Sequence, residues 1–327
     1  MSQLPRIRVL AMGGTISSTA ASPGGEASPT LRAAQIVESV PNLGRIAQIE
    51  AGDIATVASF AVTPARMLEL AREVERAFAE GVDGVVVTHG TDTIEETAYA
   101  LALCIPRGKP VVVTGAMRNP SLPGAEGAGN LLDAFLVAAH PGAGALGTVV
   151  VLNDEIHAAR FATKAHSTRL STFVSAGAGP IGEAIEERAY LWFAPLWEDH
   201  LGLPESLDGV DVQLVKLAAG VDATLLEAAV ARRPGAIVID GFGGGHVHAP
   251  LLPALDRAVA EGIPVVVASR ALAGRTLERT YRIEGAETDL IDRGAIMAGH
   301  LSGPKARLRL LVGLALGLDA RSLFPVP

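Results

Sequence analysis

The stretch Gly84–Thr114, GVVVTHGTDTIEETAYALALCIPRGKPVVVT, sets how the rest of the chain reads. It opens and closes on valine triplets, Val85–Val87 and Val111–Val113, apolar without alternation. A strand with one wet face alternates apolar and polar residues. An unbroken β-branched run suits a strand buried on both faces, as in a parallel sheet covered by helices. Between the triplets, Ile94–Leu103 is rich in Ala, Leu and Glu and reads as a helix. The triplets lie in strands predicted at Gly84–Thr88 and Pro110–Thr114; on either side of this stretch, further strands are predicted at Ile7–Met12, Ile54–Ser59 and Gly147–Leu152, and helices at Leu31–Ser39, Pro64–Glu80 and Asn130–Ala139. Strand–helix–strand repetition implies an α/β fold, a doubly wound and mostly parallel sheet.

The pattern breaks at Leu191–Asp208, where Trp, Pro, Gly and acidic residues cluster, and then resumes. Strands are predicted at Val212–Leu217, Ala236–Asp240 and Pro264–Ala268, and helices at Ala223–Arg232, Leu251–Glu261 and Pro304–Leu318. The expected organisation is an N-terminal α/β catalytic domain at 1–193, a linker at 194–208 and a second, smaller α/β domain at 209–327.

Bulk properties exclude several function classes. The formal net charge is −8 and aromatic residues make up 4% of the 327 residues. Binding to a phosphate backbone needs clustered Lys and Arg, and base stacking needs aromatic platforms, so no nucleic-acid partner is expected. No window approaches the ~18 unbroken apolar residues of a membrane span, and no signal peptide is read at the start. Cys104 is the single cysteine, so no intrachain disulfide can form. A soluble cytoplasmic protein is the simplest reading.

Small polar residues recur at the predicted strand ends, where open α/β sheets bind ligands. Gly13-Gly14-Thr15 follows the first strand, and Ser59 closes the second. Thr88-His89-Gly90-Thr91-Asp92-Thr93 follows the third, Thr114-Gly115-Ala116-Met117-Arg118 the fourth, and Asn153-Asp154-Glu155 the fifth. Taken alone, Gly-Gly-Thr suits a turn whose Thr caps a neighbouring element. Thr93 or Asp92 suits an N-cap, and Glu95 and Glu96 suit surface acids complementing a helix dipole. Lys164 would ordinarily be a solvated charge. The series as a whole instead points to one crevice, in which Lys164 paired with Asp92 takes a proton from Thr91. No metal-ligand spacing occurs. His246-Val247-His248 shapes a Gly-rich loop more readily than it binds a cation. Neither a P-loop nor a Gly-x-Gly-x-x-Gly turn is present, so no cofactor is expected.

These residues resemble the bacterial-type L-asparaginases, the asparaginase/glutaminase family, over nearly the whole chain. The resemblance rests on Met12–Ile16, on Thr88–Thr93 with Glu95–Ala98, on Thr114–Arg118, on Gly127 with Asn130-Leu131, on Val151–Asp154, and on Thr163-Lys164. Late in the chain Ser269-Arg270 and Ser302–Arg307 match as well. It implies Thr15 as a nucleophile on a mobile loop, with Thr91, Asp92 and Lys164 as a second hydroxyl and its proton network. It implies Gly14, Ser59, Gly90, Thr91 and Asp92 as substrate-binding residues, backbone N–H groups near Gly14 and Thr91 as an oxyanion hole, and the Ala116 carbonyl facing the leaving amide. It also implies a homotetramer, a dimer of dimers, in which His246, Glu278 and Tyr281 of a neighbour complete each site.

Three departures stand out. No tyrosine occurs in Ser17–Thr30, the stretch expected to act as a lid or, on the plainer reading, as a surface loop. The family's Ser-Gln pair reads Ser59-Phe60 here. The acidic residue a neighbour would offer falls near Glu278–Tyr281, with Tyr281 at the aligned position. The resemblance implies release of ammonia from asparagine through an acyl-enzyme. Two alternatives stay open: an amidase for glutamine, a D-amino acid amide, a dipeptide-like amide or a lactam, and an amino-acid-binding protein with weak turnover.

Overall fold

The computed structural model describes residues 3–20, 26–197 and 199–324, and the chain divides into two compact units, Met1–Leu203 and Pro204–Pro327. The first unit begins with β1 (Arg6–Gly13), β2 (Ser18–Ala20), β3 (Ala27–Pro29), α1 (Ala33–Glu38), β4 (Gln48–Val57) and α2 (Pro64–Ala79). It continues with β5 (Gly84–Thr88), α3 (Ile94–Cys104), β6 (Val111–Thr114), α4 (Gly127–Ala139) and β7 (Thr148–Leu152). Five short strands complete it: β8 (Glu155–Ala158), β9 (Ala162–Lys164), β10 (Phe173–Ser175), β11 (Gly182–Ile185) and β12 (Arg188–Leu191).

The valine triplets are completely buried, as expected of inner strands. Val86 and Val112 join Ile7, Val9, Leu131, Ala134 and Phe135 in the core beneath α1 and α4. Their neighbours Val85, Val87, Val111 and Val113 point to the opposite face, because side chains alternate along a strand. Each fully buried valine contributes roughly 2 kcal/mol from removal of apolar surface from water. On α2, Thr63 caps the helix by accepting from the Arg66 N–H at 3.3 Å, and Pro64 occupies the first turn. Met67, Leu70, Ala71, Val74 and Ala77 then bury one stripe at helical spacing.

The sheet order is β12-β11-β8-β7-β6-β5-β1-β4, and β4, β1, β5, β6 and β7 are mutually parallel. The chain leaves β1 toward β4 on one side, then returns to β5 on the other. That reversal is a topological switch point, which opens a crevice beyond the carboxyl ends of β1 and β5. The remaining strands extend the sheet antiparallel. Asn153-Asp154-Glu155 follows the fifth parallel strand as expected, and it opens a hairpin. Asn153 and Asp154 have φ of 52° and 68° and form the two-residue turn between Leu152 and Glu155. Positive φ at both central residues matches the twist of a hairpin.

A buried carboxylate lies below this turn. Asp133, on α4, is 9% exposed. Burial, then the neighbouring Asp154 carboxylate, pushes it from 3.8 up to about 7. A carboxyl whose folded value is raised adds stability that is complete below its unfolded value and is lost as pH rises through the folded one. Asp133→Asn, which mimics the protonated form, is therefore expected to gain stability relative to wild type between pH 5 and pH 8. Urea midpoints at the two pH values check this. An equal difference at both would contradict the assignment.

The second unit contains β13 (Val212–Lys216), α5 (Thr224–Ala231), β14 (Ala236–Gly241) and α6 (Leu252–Ala260), followed by β15 (Val265–Ser269), α7 (Glu287–Asp292), β16 (Ile296–Met297) and α8 (Gly303–Ala315). Its four strands are parallel in sequence order. The fold is therefore α/β, with a large mostly parallel sheet and a smaller parallel one. No helix among the described residues is long and apolar enough to cross a membrane.

Candidate active site

Three strand ends meet backbone to backbone at the switch point. Gly13 and Gly14 have φ of 91° and 84°. A Cβ at Gly14 would lie 2.2 Å from the Gly90 Cα, and one at Gly90 would lie 2.7 Å from the Ser59 Cβ. Only glycine tolerates both the conformation and the approach. Thr15 and Thr91 each follow one member of the touching glycine pair, so the two hydroxyl residues leave β1 and β5 side by side. Ser59 lies in a short 3-10 turn just past β4, not at the strand's end as expected. Its Oγ accepts from the Asp92 N–H at 3.2 Å and its carbonyl from the Thr93 hydroxyl at 2.7 Å. Thr93 occupies the N-cap position of α3, but its hydroxyl serves Ser59 and does not cap the helix.

Side chains outside the expected set fix the peptide planes next to the two threonines. The Gly14 carbonyl accepts from the Ser17 N–H at 3.1 Å, the Ser17 hydroxyl at 2.8 Å and the Ser18 hydroxyl at 2.9 Å. No cis peptide occurs among the described residues, so the Thr15 N–H points opposite that carbonyl. The Gly90 carbonyl lies 2.8 Å from His89 Nδ1, and Thr97 Oγ1 lies 2.9 Å from Nε2. A carbonyl only accepts, so Nδ1 carries the proton and Nε2 accepts the Thr97 hydroxyl. Complete burial drives the His89 pKa down to about 4, which keeps the ring neutral. The held Gly90 carbonyl turns the Thr91 N–H the other way. Two backbone donors, fixed before any ligand arrives, can stabilise a developing oxyanion.

Lys164 is not a free surface charge. Its Nζ lies 3.0 Å from Thr91 Oγ1 and 2.6 Å from Asp92 Oδ1, and its side chain is 17% exposed. Its backbone N–H donates to Glu95 Oε2 at 2.8 Å, which fastens β9 to the first turn of α3. Thr91 is 5% exposed. A buried hydroxyl beside an amine that a carboxylate orients is a proton network of the kind that can serve acyl transfer to a neighbouring nucleophile.

The turn after β6 joins the same crevice. A Cβ at Gly115 would lie 2.4 Å from the His89 carbonyl. Asn130 Nδ2 donates to the Gly115 carbonyl at 2.9 Å, and its Oδ1 accepts from the Asn153 N–H at 3.0 Å. Ile16, directly after Thr15, packs against Gly127 beside the Ala116 side chain.

Residues 6–195 match the family described as Asparaginase, N-terminal, and residues 211–323 the Glutaminase/Asparaginase C-terminal domain. The chain belongs to the asparaginase family. Its relatives include the L-asparaginase of Bacillus licheniformis, 34% identical with 95% of each chain covered. A probable L-asparaginase of Deinococcus radiodurans is 38% identical, covering 98% of this chain and 97% of its own. A glutaminase-asparaginase of Pseudomonas fluorescens is 31% identical, covering 98% and 89%. Among solved structures, a probable cytoplasmic L-asparaginase from Campylobacter jejuni superposes with a TM-score of 0.84 at 29% identity, and 98% of each chain is covered.

The first unit therefore gathers Gly14, Thr15, Ser59, Gly90, Thr91, Asp92, Ala116 and Lys164. His246, Glu278 and Tyr281 belong to the second unit. There the His246 and Tyr281 rings meet edge-on with centroids 5.7 Å apart, and Glu278 pairs with Arg275 at 2.7 Å. The fully buried Glu287 accepts from the Thr280 and Tyr281 N–H groups at 2.6 and 2.5 Å and lies 3.2 Å from His246 Nε2. Of the stretch expected as a lid, residues 21–25 lie outside the described residues; β2 and β3 pair antiparallel on either side of them. No cluster of three or more potential metal ligands occurs among the described residues. Cys104 is buried, its thiol pushed up to about 12 by that burial.

Proposed function

We propose that the protein hydrolyses the side-chain amide of asparagine, with Thr15 as nucleophile. The observation that carries this reading is Lys164 Nζ held between Thr91 Oγ1 and Asp92 Oδ1, at 3.0 and 2.6 Å, beside the Gly14–Gly90 contact that brings Thr15 alongside. Thr15 Oγ1 attacks the amide carbon, and the Thr15 and Thr91 N–H groups take up the negative charge on oxygen. The carbon–nitrogen bond breaks, and nitrogen leaves as ammonia with the proton that began on the attacking hydroxyl. Water then attacks the ester carbon, the Thr91–Lys164–Asp92 relay moves its proton to Thr15 Oγ1, and aspartate is released. A pure binding site has no need of an amine wedged between a buried hydroxyl and a carboxylate.

One observation favours a different amide. Phe60, directly after Ser59, is 78% exposed and offers no hydrogen bond to a substrate carboxylate. A site that lacks a hydrogen-bonding group discriminates less strongly for its partner. Ammonia release from asparagine, glutamine, their D-isomers and small amides tests the proposal: asparagine should give the highest kcat/KM. Turnover confined to another amide would reassign the substrate, and tight aspartate binding without any turnover would reject the enzyme reading.

The proposal extends to a cytoplasmic homotetramer in which His246, Glu278 and Tyr281 complete a neighbour's site. The ordering of Thr280, Tyr281 and His246 around Glu287 supports it, and light scattering would test the assembly.

A further inference from the structure

We infer that Glu126 is a positioning residue for the leaving group of the amide, an inference that rests on the amidohydrolase reading above. Glu126 sits at the N-cap position of α4, where an acidic side chain ordinarily caps its own helix, yet it makes no such bond. Its carboxylate reaches back across the turn after β6. Oε1 accepts the Met117 N–H, and the Arg118 N–H lies 3.4 Å from Oε1 and 3.3 Å from Oε2. The Met117 N–H and the Ala116 carbonyl belong to one trans peptide and point in opposite directions. Holding the N–H toward Glu126 therefore holds the carbonyl away from it.

Two contacts show what lies nearby. The Ile16 side chain comes within 3.1 Å of a Cβ placed on Gly127, and the Ala116 Cβ within 3.4 Å of the same point. Ile16 is the residue after Thr15, so the Ala116–Met117 peptide borders the Thr15 turn. Asn130 fixes the preceding peptide by donating to the Gly115 carbonyl at 2.9 Å. The turn is thus held at both ends, by an amide from inside α4 and a carboxylate from its start, and the Ala116 carbonyl is the acceptor they aim.

An acceptor there acts on the nitrogen of the scissile amide. The two N–H groups of a primary amide need one to align the leaving nitrogen, whose lone pair must receive a proton as the carbon–nitrogen bond breaks. An ester of the same acid has no N–H to offer. Glu126 should therefore matter for amides and hardly at all for esters, a distinction that a merely structural role does not make.

The test compares ammonia release from asparagine with methanol release from aspartate β-methyl ester. Glu126→Ala is expected to lower kcat for the amide about 10- to 100-fold, the cost of misplacing a reacting geometry by about an ångström. The ester rate should change less than about threefold, and the KM for asparagine should stay near wild type. Glu126→Gln, which keeps one acceptor oxygen for Met117, should recover most of the amide rate. An amide-to-ester ratio unchanged in Glu126→Ala would overturn the inference. Should that variant fail to fold, Glu126→Asp, one methylene short, should show the same selective loss to a smaller degree, and an unchanged ratio there would overturn it equally. Wild-type protein that turns over none of the amides tested would instead reject the amidohydrolase reading itself, so the two failures are distinguishable.

Discussion

Thr15→Ala and Lys164→Met are each expected to lower ammonia release from asparagine by at least about three orders of magnitude, the scale on which removal of a nucleophile or its proton relay acts. Neither should unfold the protein. The Asp92 side chain is 53% exposed, so its carboxylate stays hydrated when the Lys164 amine is removed, and the methionine side chain keeps most of the lysine's apolar stem. The Thr15 turn is held by the Ser17 and Ser18 contacts to the Gly14 carbonyl, not by the Thr15 side chain. Activity measured beside a thermal melt checks both points. Wild-type turnover in either variant would remove that residue from the mechanism. Loss of the fold would show that it is structural.

Gly14→Ala should be nearly as severe for a different reason. The new methyl would lie 2.2 Å from the Gly90 Cα and 2.3 Å from the Gly90 N, on a backbone with φ of 84°. Neither contact is the end of a flexible side chain, so main chain must move. Strain of this kind costs about 1–3 kcal/mol, and overpacking adds a similar amount. Because Thr15 and Thr91 both hang from this contact, a shift of about an ångström would cost on the order of 100-fold in kcat. Gly44→Ala serves as the comparison, since a methyl added there would meet nothing within 4 Å. The expected result is a lower melting temperature and lost turnover for Gly14→Ala, with both unchanged for Gly44→Ala. Full activity in Gly14→Ala would mean that the two threonines do not depend on the glycine contact.

How much of this was legible in the sequence follows from which forces are local. The inner strands β5 and β6 are plain in the valine triplets, because burial on both faces leaves an unbroken apolar run. The strand predicted at Ile54–Ser59 is β4, which runs from Gln48 to Val57. Its first half holds Gln, Glu and Gly and is partly exposed, so its place comes from pairing with β1 and not from its own composition. The hairpin of β11 and β12 left no mark at all. Its turn is Glu186-Glu187 at φ of 50° and 56°, residues with no turn preference. The first turn of α4 was hidden by Gly127 and Gly129, poor helix formers, although Gly127 is small for a reason: Ile16 packs there.

The candidate site divides in the same way. The glycines and threonines at the strand ends were visible as a series, and Lys164 lies against Thr91 and Asp92, the pairing expected of it. The contributions of Ser17, Ser18, His89, Glu95 and Glu126 were not visible. Each acts by holding a backbone group, and which carbonyl or N–H a side chain reaches depends on the folded path of the chain, even where the partner is only one to four residues away. His89 stood in plain view inside the richest motif, but only the folded chain shows that it braces the Gly90 carbonyl against Thr97.

The most direct measurement is to quench the enzyme with acid during turnover of asparagine and locate the acyl group by peptide mass mapping. A β-aspartyl ester on Thr15, present in wild type and absent in Thr15→Ala, is the result predicted. An ester on Thr91, or asparagine turnover at the wild-type rate in Thr15→Ala, would contradict it.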